Sequence, residues 1–508
     1  MKRLVRLALP LAGAVLLAAC GTSPEEHFAL AREAFGKSDY QTARTELGQA
    51  LKADPRNREM LLLLVQTQLL LGDGDGAQGG AERLRAIGLS GPELARIEAE
   101  AALLRGKPDK ALELLGNDGA VGAWRIRAAA HLALEDGAAA QAAFLAGNRA
   151  GSNFRLACDY TRFLIQSGDL ATASTQFEAL RLSRAEALEV LMLGGALSEA
   201  YARQDLAEKY YARAAQLFPF RFEPLLAHAN LLDMVGKVPE AARLAEGAAA
   251  IAPGDAGVQQ ALLSVYSQQG KWEKIRDMLQ RREDELDPAS GEGMTYAEAL
   301  LRLGHPEQAR AQFAQALLVQ PQNRYARMML GESQLATGDA VSAWETLRPL
   351  AQGLFVQLRE IELAVKAGQA AGAEEAGALQ ARVQSPAFRQ QQAVLQGAIA
   401  ADARGDSAKA LQLYQQLAAD SGADAELLRR LAMAASQAGQ PTLALASADK
   451  ALALDPQNPE LRYAAGVVRL RAGLDLAAAR QHLQAAADAR PDNPQFRAQL
   501  VKAKAAAG

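Results

Sequence analysis

A small residue, a glycine and a proline return along this chain every 34 residues, and from Leu188 to Asn323 four such units follow one another without a slip in register. With Phe222 as the first position of one unit, Ala229 is eighth, Gly236 fifteenth, Ala241 twentieth, Ala248 twenty-seventh and Pro253 thirty-second. The unit from Leu188 has Gly195, Ala207, Ala214 and Pro219 at matching places, and the unit from Ser290 has Ala297, Gly304, Ala309, Phe313, Ala316 and Pro321. A fixed period of this length means one supersecondary unit stacked many times, because a single helical pair cannot bury its apolar face alone. The spacing has a direct physical meaning. Two helices of about a dozen residues approach to roughly 8–10 Å only where a small residue lies at their crossing, and Gly195, Gly331 and Gly466 all fall on position eight. A glycine near position fifteen ends the first helix in a left-handed conformation, and a proline near thirty-two stops the second. No run alternates with a period of two long enough to argue a strand.

These positions resemble those of the tetratricopeptide repeat, with small residues at eight, twenty and twenty-seven, a large apolar residue near twenty-four and a proline near thirty-two. The resemblance implies an all-α fold, a right-handed solenoid of about fourteen helix-turn-helix repeats across nearly the whole mature chain. Unit starts are expected at Pro24, Arg58, Pro92, Val121, Phe154, Leu188, Phe222, Ala256, Ser290, Arg324, Gln357, Gln391, Ala425 and Pro459. The unit from Ala256 keeps Gly270, Trp272 and Leu279, but Ile275 replaces the small residue at twenty and Asp287 the proline, which puts its inner packing rather than its length in question. Two stretches are irregular. In 92–153 a short second helix is expected to stop at Gly116-Asn117-Asp118-Gly119, and 354–390 is blurred by alanine and glycine. The solenoid is assigned to 24–493, and 494–508 to a capping helix, Pro494 to Ala507, with a short tail. A chain of 508 residues would ordinarily split into several globular domains, whereas a repeat array grows as one because each repeat touches only its neighbours.

The N-terminus carries the second strong signal. Lys2, Arg3 and Arg6 precede an apolar stretch from Leu7 to Leu17, too short for a spanning anchor, followed by Leu17-Ala18-Ala19-Cys20. This resembles a bacterial lipobox, so 1–19 is expected to be a lipoprotein signal peptide and 20–23 the lipidated Cys20 with a short tether. A multiply acylated cysteine gains about 0.8 kcal/mol per buried methylene, enough for long-lived anchoring. In lipoproteins of this kind the residue after the cysteine influences sorting. Gly21 is not the aspartate associated with inner-membrane retention, so the resemblance implies the periplasmic side of the outer membrane. With Cys20 acylated, Cys158 stands alone among Phe154, Ala157 and Tyr160 and is expected to pack as a small apolar residue.

Apparent catalytic motifs dissolve on inspection. Gly74-Asp75-Gly76-Ala77-Gln78-Gly79 spells G-x-G-x-x-G with no preceding strand and is assigned to the turn between the helices of a repeat. Asp73 and Asp75 open like a calcium loop, but Ala77 stands where a third ligand is needed. Ser447-Ala448-Asp449-Lys450 lacks the companions of the penicillin-binding enzymes. The histidines at 27, 131, 228, 305 and 482 form no metal-binding pair. No catalysis, metal or cofactor is expected, nor a small-molecule ligand.

Removing Lys2, Arg3 and Arg6 takes the formal charge from −3 to −6, with no basic stripe for nucleic acid. In the repeat family the inner surface is lined chiefly by first-helix positions two, five, nine, twelve and thirteen. The central units place there Glu189, Met192, Glu199, Glu223, Leu226, Asn230, Asp233, Met234, Met294, Glu298, Met328 and Glu332. As a partner groove this set suits a basic, apolar protein segment, since methionines adapt to varied apolar contacts. The same set also has the composition of solvated acids and fillers at helical spacing. The architecture resembles repeat lipoproteins of exopolysaccharide secretion and exosortase-linked systems, which implies a protein-binding scaffold in the cell envelope. A lipoprotein that docks on a cell-wall synthase and activates it is the alternative.

Overall fold

In the computed structural model, which describes residues 23–421, 424–491 and 493–507, regular structure is entirely helical: twenty-nine α-helices and two short 3-10 segments, with no strand among the described residues. The chain divides into two compact units, Met1–Gly270 and Lys271–Gly508. Each is an array of antiparallel helical pairs. First helices begin at Pro24, Arg58, Pro92, Val121, Phe154, Leu188, Glu223 and Ala256 in the first unit, and at Gly291, Arg324, Leu358, Pro386, Ala425 and Pro459 in the second. Pro494–Ala507 forms one further helix.

Local chemistry sets these boundaries. Position fifteen is left-handed throughout the regular units: Gly236 at φ +78°, Gly270 at +65°, Gly304 at +85° and Gly338 at +82°. Three units force a residue with a side chain into the same conformation, namely Ser38, Glu135 and Ala202, a cost that the flanking helices over-determine. Directly afterwards an aspartate caps the second helix. Asp39, Asp73, Asp136, Asp169 and Asp339 accept the amide of Thr42, Gly76, Ala139, Thr172 and Ser342 respectively, satisfying a donor that a helix start leaves orphaned. At the other end the residue before each proline is barred from helical ψ: Asp54, Phe218, Ala252 and Gln320 sit at φ −125° to −134° with ψ from 65° to 79°.

The core is the seam between paired helices. An ideal Cβ on Gly195 would lie 2.2 Å from Tyr211 Cε1, on Gly331 2.3 Å from Leu347 Cγ, and on Gly466 2.6 Å from Leu483 Cγ, so each glycine receives a large side chain of its partner helix. The unit from Arg58 exchanges the sizes: Val65 stands at position eight and Gly80 on the second helix, where a Cβ would lie 2.4 Å from Val65 Cγ2.

Two units are irregular, and two expectations need correction. In the second helix of the unit from Ala256, Ile275 is fully buried and Leu279 nearly so, where Trp272–Leu279 packs on Gly291–Arg302. That helix is short, Trp272–Leu279 giving way to a 3-10 segment, Gln280–Glu285, with Arg282 at φ −116°, while the next unit still starts on schedule at Ser290. The Gly74-Asp75-Gly76 run is the first turn of Gly74–Ala86, capped by Asp73, and not a loop. The helix placed at Gln391 begins at Pro386, where Ser385 accepts the Phe388 amide and proline supplies a pre-set φ. Finally, the second helix of the unit from Arg324 ends at Leu347, because Pro349 cannot continue it. The segment that follows is packed all the same. Leu350, Ala351, Leu354 and Val356 are buried, and Arg382 and Gln392 donate to the carbonyls of Ala351, Gly353 and Leu354. The short second helix expected before Gly116 is present as Pro108–Leu115.

Candidate functional site

The predicted surface residues fall in both units. In the first, Glu189, Met192 and Glu199 lie on Leu188–Ala200, and Glu223, Leu226, Asn230, Asp233 and Met234 on Glu223–Met234. Most of these acids already have partners. Glu199 accepts the hydroxyl of buried Tyr211, whose pKa is raised far above the phenol range first by burial and then by this carboxylate. Asp233 accepts Ser264 Oγ at 2.8 Å and Gln268 Nε2 at 2.6 Å. The two carboxylate oxygens of Glu223 accept Nε and Nη2 of Arg221. Glu189 differs: partly exposed, its carboxylate makes no hydrogen bond or salt bridge among the described residues, although Arg221 lies within its electrostatic reach. Met192 packs beside Tyr211 and Leu231, while Asn230 is open and Met234 is 65% exposed.

In the second unit, Met294 and Glu298 lie on Gly291–Arg302, and Met328 and Glu332 on Arg324–Ala336. Here the acids are neutralised. Arg302 bridges Glu298 at 3.0 Å and Glu332 at 2.7 Å, Arg359 adds a second cation to Glu332 at 2.6 Å, and the Tyr325 hydroxyl donates to Glu298. Burial alone would raise the Glu332 pKa, but the hydrogen bonds and charges of Arg302 and Arg359 outweigh it and hold the carboxyl below its usual range. Met294 Sδ receives Asn323 Nδ2 at 3.5 Å. Met328 is buried at 6% exposure and lines no open surface, which corrects its placement. Of the predicted acids, it is Glu189 in the first unit whose carboxylate is left without a direct hydrogen bond or salt bridge.

Sequence reasoning missed the cations. Arg125 joins Glu100 of the preceding repeat to Asp159 of the following one, at 3.5 Å for the latter. Arg302 and Arg359 do the same around Glu332. The legible signal was an arginine four residues after Glu298, a spacing that places both on one helix face. Cys158 is buried, and burial, then Glu189 and Asp159, push its thiol up to about 12. Cys20 and the lipobox lie outside the described residues. Among the described residues no cluster of three or more His, Cys, Asp or Glu is placed to hold a metal ion, and no helix is long and apolar enough to cross a membrane.

Comparison with known proteins agrees with the repeat geometry. One tetratricopeptide-repeat model matches residues 296–348, 395–459 and 429–494, and a second matches 34–101. Among solved structures, the anaphase-promoting-complex hetero-tetramer Cut9-Hcn1 aligns at 16% identity over 94% of this chain and 96% of that one, with a TM-score of 0.33. The tetratricopeptide domain of P58(IPK) aligns at 16% identity over 70% and 98%, with a TM-score of 0.23. No curated protein matches the sequence. With the helix order, the left-handed position fifteen and the small-to-large seam already in place, the matched segments are tetratricopeptide repeats and the fold is an all-α solenoid of the tetratricopeptide type, a repeat that generally binds other proteins.

Proposed function

We propose that the protein is a non-catalytic scaffold, anchored by lipid on Cys20 to the periplasmic face of the outer membrane, that receives a basic and partly apolar segment of another envelope protein on the acidic surface of its first unit. The assembly it serves is one of exopolysaccharide export. The observation that carries the binding half is the partly exposed carboxylate of Glu189, in no hydrogen bond or salt bridge among the described residues, on the same pair of first helices as exposed Asn230 and Met234. A carboxylate that no internal cation touches has free energy to gain from one supplied in trans, and such charges govern partner choice and encounter more than fold. The anchor half is supported by the sequence Leu17-Ala18-Ala19-Cys20 behind a basic, apolar leader, and only Gly21, Thr22 and Ser23 would separate the lipid from the first helix. Metabolic labelling with an alkyne fatty acid tests it. Label should appear on the wild type and vanish in Cys20→Ser, which should also leave the membrane fraction, whereas an unlabelled wild type would remove the anchor.

A further inference from the structure

Tyr40 opens the second helix of the unit from Pro24, and Arg221 ends the unit from Leu188, with four whole units between them. Yet the Arg221 guanidinium carbon stands 5.0 Å from the centroid of the Tyr40 ring, itself packed at 5.4 Å against Phe35. In a repeat array each unit touches only its neighbours, so this contact joins two regions of the first unit that the repeat pattern would leave apart. Arg221 is well placed for it. Its side chain is 17% exposed, and its Nε and Nη2 donate to the two carboxylate oxygens of Glu223, which is 34% exposed and open to a competing cation. Burial opposes the guanidinium charge, while Glu223, then Tyr40 and Glu189, overcome it and raise the pKa. Two acids of the candidate groove thus supply the field that keeps Arg221 on Tyr40.

We propose that Arg221 is a clasp that holds the first unit closed against Tyr40, and that a basic partner segment opens it by taking over Glu223 and Glu189. The second half rests on the basic-partner reading of this surface. A lysine or arginine arriving at Glu223 withdraws the carboxylate that orients Arg221, leaving only the face of one aromatic ring to hold it. Linkage makes the effect reciprocal: closure competes with the partner, and the partner favours the open form.

The test uses the full chain with Cys20→Ser, spin-labelled at cysteines replacing Lys52 and Phe220. Lys52 lies about 18 Å along its helix from Tyr40, which brings the pair into the range of pulsed dipolar spectroscopy, and buried Cys158 takes no label. The clasp predicts one narrow distance distribution in the otherwise wild-type chain. It should broaden and move outward by several ångströms in Arg221→Ala and in Tyr40→Leu, both checked for unchanged helicity, and Arg221→Lys should fall between. A synthetic peptide of alternating lysine and leucine should shift the wild-type distribution the same way and bind Arg221→Ala roughly five-fold more tightly, the scale of one cation–π contact. Superimposable distributions in all variants would overturn the clasp. Labels that move in Arg221→Ala while neither form binds the peptide would leave the seam but refute its opening by a basic segment, and with it the basic-partner reading.

Discussion

Gly195→Ala adds a single methyl group at the tightest crossing of the first unit, and its cost follows from the geometry. The new carbon would lie 2.2, 2.5 and 2.7 Å from three ring atoms of Tyr211, so the ring must retreat by about 1 Å to reach ordinary contact. It has little freedom to do so, being 3% exposed with its hydroxyl tied to Glu199. Overpacking of this kind costs about 1–3 kcal/mol, and the better helix propensity of alanine returns about 1 kcal/mol, so the net expected loss is up to about 2 kcal/mol. Gly48→Ala is the control: Gly48 lies in the exposed part of Tyr40–Ala53 with nothing within 4 Å of an added Cβ, so only the propensity gain of about 1 kcal/mol remains. Repeat arrays need not unfold in one step, so native-state hydrogen exchange read helix by helix is the appropriate assay. Amides of Gln204–Leu217 should exchange faster in Gly195→Ala, by up to roughly 30-fold, while those of Tyr40–Ala53 should slow in Gly48→Ala. Shifts of the same sign in both variants would refute the seam argument and move the register.

Two further outcomes follow from the electrostatics. Glu332 has a folded pKa below its unfolded value, so its contribution to stability is present above the unfolded value and is lost as pH falls through the folded one; Glu332→Gln should therefore flatten the acid limb of the stability profile below about pH 5, and a profile parallel to wild type would contradict the bridge to Arg302 and Arg359. Cys158, with its thiol near 12, should resist iodoacetamide at pH 8 in the native protein and react readily in urea, and fast native alkylation would contradict its burial.

Repeat length, unit boundaries and the role of Gly195, Gly331 and Gly466 were legible because each rests on spacing within one unit, where the helical period dictates what meets what. Reasoning faltered where a residue's meaning depends on a neighbour outside that period. Ile275 broke the small-residue rule and is fully buried all the same, and Pro349, which ends the second helix of the unit from Arg324, lies at a position the pattern does not mark. Gly74 was assigned to a turn because its composition suggested one, although Asp73 directly before it is a capping residue that starts a helix. In the candidate surface the acids were correctly placed on their helices, but their long-armed partners come from adjacent repeats: Arg359 reaches Glu332 from 27 residues away. Met328 shows that the same position can be buried in one unit while its counterparts are not. The Arg221–Tyr40 seam was invisible for a deeper reason, since it depends on rotation accumulated over several repeats and no single period records it.

The account turns on whether the first unit's acidic surface is where a partner sits. A photo-crosslinking amino acid at Met234 in cells making the full chain, compared with one at Leu182, which is 81% exposed, puts that question directly. The expected result is a discrete adduct from Met234 with one envelope protein, mapped to a lysine- or arginine-rich segment, absent from Leu182 and lost when Glu189 and Asp233 are changed to glutamine. The same adducts from both positions, indifferent to those two substitutions, would contradict it.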